Sequence, residues 1–179
     1  MPEDDAAHFE IFSTFIYTGR IDIFAHDHAP AEPSSLHFIV KEDATEFNLL
    51  TQLWIFGDKL TSQPFKDAVM DPFTAMLSTP MSFPHDLHKL VYPSTCGPNA
   101  LRRLAVDIAL ASWSDVDLTT AEMDHSWCEF FRDVALRARA PSGSYSGVLR
   151  HPNCYYHDHG DDGQCYNQMR WASLNPNVD

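Results

Sequence analysis

Basic residues are scarce in this chain. Lysine and arginine together number 12, against 25 aspartate and glutamate residues, which gives a formal net charge of -13 at pH 7. Nucleic-acid backbones and anionic membranes both attract positively charged protein surfaces. The charge balance therefore argues against either of them as the main partner.

Long apolar runs are also missing. No segment approaches the 18 or so consecutive apolar residues that a membrane-spanning helix needs. The acidic amino terminus, Met1 to Asp5, has no apolar stretch behind a positive flank, so we predict no secretory signal. These absences predict an intracellular protein, in the cytoplasm or the nucleus.

Cysteine is limited to four residues, Cys96, Cys128, Cys154 and Cys165. They are too few and too scattered for a disulfide scaffold, and without an export signal they are expected to be reduced thiols or metal ligands. Cys96 precedes a Gly-Pro turn and Cys128 lies in a predicted helix, so we interpret both as structural thiols.

The sequence has no signature of nucleophilic catalysis. No serine lies in a Gly-x-Ser-x-Gly motif, and no glycine-rich phosphate-binding loop is present. We therefore predict that the chain is not an enzyme.

What the chain does contain is enough apolar material for one packed core, with 44% hydrophobic and 12% aromatic residues in 179. Apolar residues recur at helical spacing, which predicts a mainly α protein. Pro72 falls inside one such pattern, so we predict a break or bend near Asp71. Residues 20–36 are predicted to be irregular, with a short strand around Ile21 and Ile23. The predicted helices cover about residues 5–17, 43–61, 64–77, 86–92, 98–113 and 120–139.

Three motifs in order resemble the BTB/POZ fold. Phe-Ile-Tyr-Thr-Gly-Arg at 15–20 is similar to the end of that fold's third helix, and Leu-Trp-Ile-Phe-Gly-Asp-Lys-Leu at 53–60 is similar to its next helix. Phe-Lys-Asp-Ala-Val-Met-Asp at 65–71 fits the helix after that. Residues 92–107 and the Cys/His tail are similar to the extension and ending of fungal BTB proteins. The resemblance thus covers nearly the whole chain.

The resemblance implies three parts. Residues 1–78 would be the second half of an α/β BTB/POZ fold, residues 79–140 a helical extension, and residues 141–179 a linker and Cys/His tail. The first half of the BTB fold would be missing, so the chain is either a natural short form or has a misplaced start. One further reading is a truncated gene product without independent function.

The missing half has a physical consequence for the first predicted helix, which is apolar on more than one face. One face would lose its partner, and a large exposed apolar patch is a site of binding or aggregation. We therefore predict that the chain binds hydrophobic dyes or self-associates.

The resemblance also implies a function in protein–protein interaction. BTB domains dimerise, and many recruit cullin scaffolds as substrate adaptors of ubiquitin ligases. By this analogy Ile11 and Tyr17 are candidate contacts to a cullin or another BTB protein. The alternative for both side chains is plain burial.

The tail reads Cys154-x-x-His157-x-His159, followed by five residues and Cys165. Thiolate and imidazole are the usual ligands of a four-coordinate zinc site. In an extended segment the two histidines would project to the same side, and residues 160–163 would make the turn that returns Cys165. The alternative is a solvated tail with a free thiol or an opportunistic disulfide.

A metal-dependent enzyme is the second reading of the same tail. His157-Asp158-His159-Gly160-Asp161-Asp162 is similar to the His-x-His-x-Asp-His string of binuclear metal hydrolases, but aspartate replaces the last histidine. Such enzymes take more ligands from a long stretch downstream, and only 17 residues follow Asp162. The second His-x-His pair, at residues 26 and 28, lies beside Pro30 and is interpreted as a solvated loop.

Overall fold

The computed structural model describes residues 6–21, 43–77, 86–114, 125–139, 154–159, 163 and 165–166. In this part of the chain there are six helices and no strand, so the prediction of a mainly α protein is confirmed. The helices are α1 (Ala6–Thr18), α2 (Asp43–Lys59), α3 (Gln63–Leu77), α4 (Leu87–Ser94), α5 (Ala100–Ser112) and α6 (His125–Ala138). The predicted strand residue Ile23, the histidines at 26 and 28 and the linker at 140–150 lie outside the described residues.

Of the predicted break or bend near Asp71, the break is wrong and the bend stays a prediction. Helix α3 runs without interruption from Gln63 to Leu77 with Pro72 inside it. An interior proline lacks the donor for one helical hydrogen bond, at a cost of about 3 kcal/mol. Phe73 and Met76 follow the proline in the helix and are 0% and 5% exposed, so their burial offsets part of this cost.

Helices α1, α2 and α3 form the first part of a continuous core. The side chains of Phe12 and Phe15 pack edge-on against the ring of Phe65, with centroids 5.0 and 5.3 Å away. Gly57 allows α2 and α3 to approach closely, since a Cβ atom there would lie 2.8 Å from Cδ1 of Phe65. The other buried residues of α2 and α3 include Phe47, Leu50, Leu53, Trp54, Val69 and Met70.

Helices α4, α5 and α6 form the second part of the core. Asn99 begins α5 by accepting the Arg102 backbone N–H at 2.9 Å, as a helix cap does. Between α4 and α6 the His88 ring stacks on Phe130, with a centroid distance of 4.6 Å and an interplanar angle of 22°. Trp113 and Trp127 complete this aromatic cluster.

Helix α1 leaves part of its apolar surface exposed. Ile11 and Phe15 are buried, whereas Phe9, Ile16 and Tyr17 are 60%, 61% and 89% exposed. The exposed apolar surface expected from the sequence pattern is therefore present on this helix. No helix among the described residues combines the length and the apolar character needed to cross a bilayer.

Candidate metal centre

The four predicted tail ligands meet at one point. One ligand atom from each of Cys154, His157, His159 and Cys165 can be chosen so that all four lie within 4.8 Å of one another. Cys165 is buried, His157 is largely buried, and Cys154 lies at the surface. The structure thus brings together the whole predicted ligand set.

One pair already has the spacing of two ligands on the same ion. The Cys165 sulfur lies 3.4 Å from Nδ1 of His157. Zn–S and Zn–N bonds of about 2.3 and 2.0–2.1 Å at a tetrahedral angle place sulfur and nitrogen about 3.6 Å apart. The two atoms therefore need to move only slightly to bind one zinc ion.

Local backbone geometry explains how a short segment gathers these side chains. A turn closes between the Cys154 carbonyl and the His157 backbone N–H, which donates to it at 3.1 Å. Gly163 adopts a φ of +64°, in the left-handed region that favours glycine, and lies two residues before Cys165. The turn and this glycine allow the first and last ligands to return to the same place.

An aspartate from α3 orients one imidazole. Nε2 of His157 lies 3.0 Å from Oδ1 of Asp71, and the Tyr166 hydroxyl donates to Oδ2 of the same carboxylate. With Nε2–H donated to the carboxylate, Nδ1 is left as an acceptor on the side of Cys165. Metal-binding histidines are commonly fixed in this way by a carboxylate behind them.

A second anchor holds the segment between the two histidine ligands. The Asp158 backbone N–H donates to Oδ1 of Asp67 on α3 at 2.9 Å. The carboxylate of Asp158 accepts the Ala100 backbone N–H at 3.0 Å and pairs with Arg103 at 2.6 Å. The ligand segment is thereby attached to α3 and to the first turn of α5.

His159 carries a buried nitrogen that the described residues do not satisfy. Its Nε2 is inaccessible to solvent and has no hydrogen-bond partner among them. An unpaired buried polar atom costs about 1–3 kcal/mol, and a ligand bond to a metal ion removes that cost. The donor set therefore fits a metal ion.

Electrostatics at the centre favour a bound cation. Partial burial raises the pKa of the Cys154 thiol, and the hydrogen bond to Cys165 and the charges of Asp71 and Asp67 raise it further. Burial lowers the pKa of His157, but the hydrogen bonds to Asp71 and Cys165 and the charges of Asp71 and Asp67 together outweigh it, so the net shift is upward. The same negative surroundings that hold protons here would stabilise a divalent ion in their place.

The ligand count restricts what such an ion would do. Two thiolates and two imidazoles fill a tetrahedral shell, as in structural zinc sites, whereas catalytic zinc keeps one position open for water or substrate. The arrangement therefore suits a structural ion.

The other residues singled out in the sequence lie elsewhere. Ile11 is buried and Tyr17 is 89% exposed, both on α1. Cys96 and Cys128 are exposed free thiols outside the cluster. No family model, no curated protein and no solved structure matches this chain.

Sequence reasoning missed the carboxylates behind the ligands. Asp67 and Asp71 lie four residues apart on α3, and Asp71 is separated from His157 by 86 positions. Like charges at this helical spacing repel one another, so two aspartates there call for a partner from elsewhere. In the sequence, only this spacing pointed to a role for the two aspartates, and it does not show that their partners lie in the Cys/His tail.

Proposed function

We propose that this chain is a protein-interaction module, without enzymatic activity, whose tail is held on the helices by one structural zinc ion. The observation that carries the zinc assignment is the convergence of four ligand atoms within 4.8 Å, backed by the Asp71 carboxylate. Four protein ligands leave no open position on a tetrahedral ion, which disfavours the metal-dependent enzyme.

Native mass spectrometry of freshly purified protein tests the zinc assignment. We expect one zinc ion per chain, lost on treatment with a strong chelator. A Cys165→Ser variant is expected to lose the ion, while Cys96→Ser, which changes an exposed thiol outside the cluster, keeps it. Metal-free protein after purification in zinc-containing medium would contradict the assignment.

The interaction role is supported by α1. Phe9, Ile16 and Tyr17 expose large apolar or aromatic side chains on a helix that resembles the cullin-facing helix of BTB adaptors. Exposed aromatic residues are common anchors of protein interfaces. Tyr17 would contact the partner directly, and Ile11, which is buried, would support the helix from behind.

A pull-down with cullin from a fungal source tests the adaptor reading. We expect the chain to retain the cullin and Tyr17→Ala to weaken retention. The control is Leu90→Ala on α4, which removes another partly exposed apolar side chain away from α1. If folded Tyr17→Ala retains as much cullin as the unmodified chain does, the proposed cullin role is wrong.

Self-association is the other outcome that exposed apolar surface predicts. Sedimentation velocity and binding of a hydrophobic dye measure it directly.

The genomic sequence upstream of Met1 distinguishes a whole BTB domain from a truncated gene product. An in-frame exon encoding the first BTB strands would show a whole BTB domain.

A further inference from the structure

A cavity between α5 and α6 brings four arginines together in an otherwise acidic chain. Its volume is about 360 Å³, and its lining includes Arg102, Arg103, Arg132, Arg137 and one carboxylate, that of Asp133. These are half of the eight arginines in a chain whose net charge is -13. The lining is therefore rich in arginine, and each of these four side chains also pairs with one carboxylate, from Glu129, Asp158, Asp133 or Asp107.

Two of these arginines act mainly as fixed charges. Arg102 is 4% exposed and donates to Thr95 Oγ1 at 3.0 Å and to Glu129 at 2.6 Å. Arg137 pairs with the buried Asp107 at 2.9 Å. Neither Glu129 nor Asp107 is among the lining residues, whereas both arginines are.

The other two arginines have donors to offer a ligand. Arg103 pairs with Asp158 through one terminal nitrogen at 2.6 Å, and its side chain is 37% exposed. Arg132 bonds a single oxygen of its neighbour Asp133 at 3.1–3.2 Å and is 61% exposed. A guanidinium carries five N–H donors, and exposed ion pairs are weak, so both side chains are able to bond a second anion.

The remaining wall of the cavity is apolar. Val106 and Leu136 line it from α5 and α6, and Tyr155 lines it from the segment next to Cys154. The volume is at the small end of the range of about 300–1,000 Å³ for small-molecule sites. A ligand that fills this space needs an apolar part beside its charged group.

We propose that this cavity binds a phosphate monoester attached to an aromatic or aliphatic group. A monoester carries nearly two negative charges and three acceptor oxygens, enough to meet Arg103 and Arg132 together. A carboxylate has one charge and two oxygens, and would satisfy one guanidinium. The four arginines belong to α5 and α6, whereas Tyr155 and Asp158, the partner of Arg103, belong to the ligand segment, so that part of the site depends on how the tail is held.

Isothermal titration of the full chain with phenyl phosphate tests the proposal. We expect one saturable site that binds phenyl phosphate more tightly than inorganic phosphate, which lacks the ring, and phenol, which lacks the anion. Arg132→Gln is expected to weaken binding about tenfold, because it removes charge-assisted hydrogen bonds. Arg139→Gln removes the same charge from an exposed arginine outside the lining and should change affinity less than about twofold.

Absence of saturable binding would overturn the proposal, as would equal weakening by the Arg132 and Arg139 variants, which would show nonspecific charge attraction. If inorganic phosphate binds as tightly as phenyl phosphate, the proposed role of the apolar wall in binding is wrong. A tyrosine-phosphorylated peptide and adenosine monophosphate then distinguish the two sources of such a group. Tighter binding of the peptide assigns the site to a partner protein, and tighter binding of the nucleotide assigns it to a small metabolite.

Discussion

At the scale of single residues, the carboxylate of Asp71 supports the metal centre from a helix 86 positions away in sequence. It bonds His157 with one oxygen and Tyr166 with the other. We expect Asp71→Asn to weaken zinc binding about 10- to 100-fold, as loss of an orienting carboxylate does at other metal sites. Competition with a chromophoric chelator measures the affinity.

The matched control is Asp86→Asn. Asp86 is an exposed aspartate that pairs with Lys89 at 2.9 Å and does not belong to the metal cluster. It should leave zinc affinity unchanged. If both variants weaken zinc equally, the effect is one of overall charge and Asp71 has no special role.

Arg102 joins three helices through one side chain. Its guanidinium donates to the Tyr92 and Thr95 carbonyls at the end of α4 and to Glu129 on α6, and it lies 4.3 Å from the centre of the Tyr92 ring. Lysine keeps the charge but offers neither the fork of donors nor the flat surface. We expect Arg102→Lys to lower the free energy of unfolding by about 2–4 kcal/mol.

Denaturant unfolding measures this loss, with Arg132→Lys as the control for exchanging arginine for lysine at an exposed position. The control should change stability by less than about 0.5 kcal/mol. If Arg102→Lys lowers the free energy of unfolding no more than Arg132→Lys does, the contacts of the Arg102 guanidinium do not stabilise the fold.

At the scale of helices, the spacing of apolar residues was sufficient to predict most of the helices. Apolar spacing predicted α2 and α5 to within a few residues, because buried stripes such as Leu101, Leu104 and Ile108 repeat with the helical period. The break expected at Pro72 is absent, and the buried residues Phe73 and Met76 beyond the proline favour a continuous helix against its local propensity. Tail ligands were visible as a motif, but their carboxylate partners depend on how α3 packs, which no local pattern encodes.

Because α3 is continuous through Pro72, we expect replacement of this proline to stabilise the fold. Pro72→Ala restores a helical hydrogen bond, worth about 3 kcal/mol for an interior proline, and loses the stiffness that proline gives to the unfolded chain, worth about 1 kcal/mol. We expect a net gain of about 1–2 kcal/mol in the free energy of unfolding. Pro64→Ala is the control, since Pro64 lies in the first turn of α3, where no backbone donor is needed. A destabilised Pro72→Ala variant would show that the proline ring itself is required for packing.

At the scale of the whole molecule, the ligand segment joins the two parts of the core. His157 bonds Asp71 on α3, while Asp158 bonds Arg103 and the Ala100 backbone on α5. A metal ion that fixes this segment would therefore connect the part of the core formed by α1, α2 and α3 to the part formed by α4, α5 and α6. Its effect on stability is expected to spread over the whole fold and not to stay in the tail.

Thermal unfolding with and without chelator measures this effect. Zinc present at about a thousand times its dissociation constant adds about 4 kcal/mol to the stability of the folded state, so chelation should lower the melting temperature by several degrees. Cys96→Ser should respond to chelator as the unmodified chain does, whereas Cys165→Ser should melt at the lower temperature with or without it. If chelator removes the ion and the melting temperature does not move, the segment is held by Asp67, Asp71 and Arg103 alone, and the ion does not stabilise the fold.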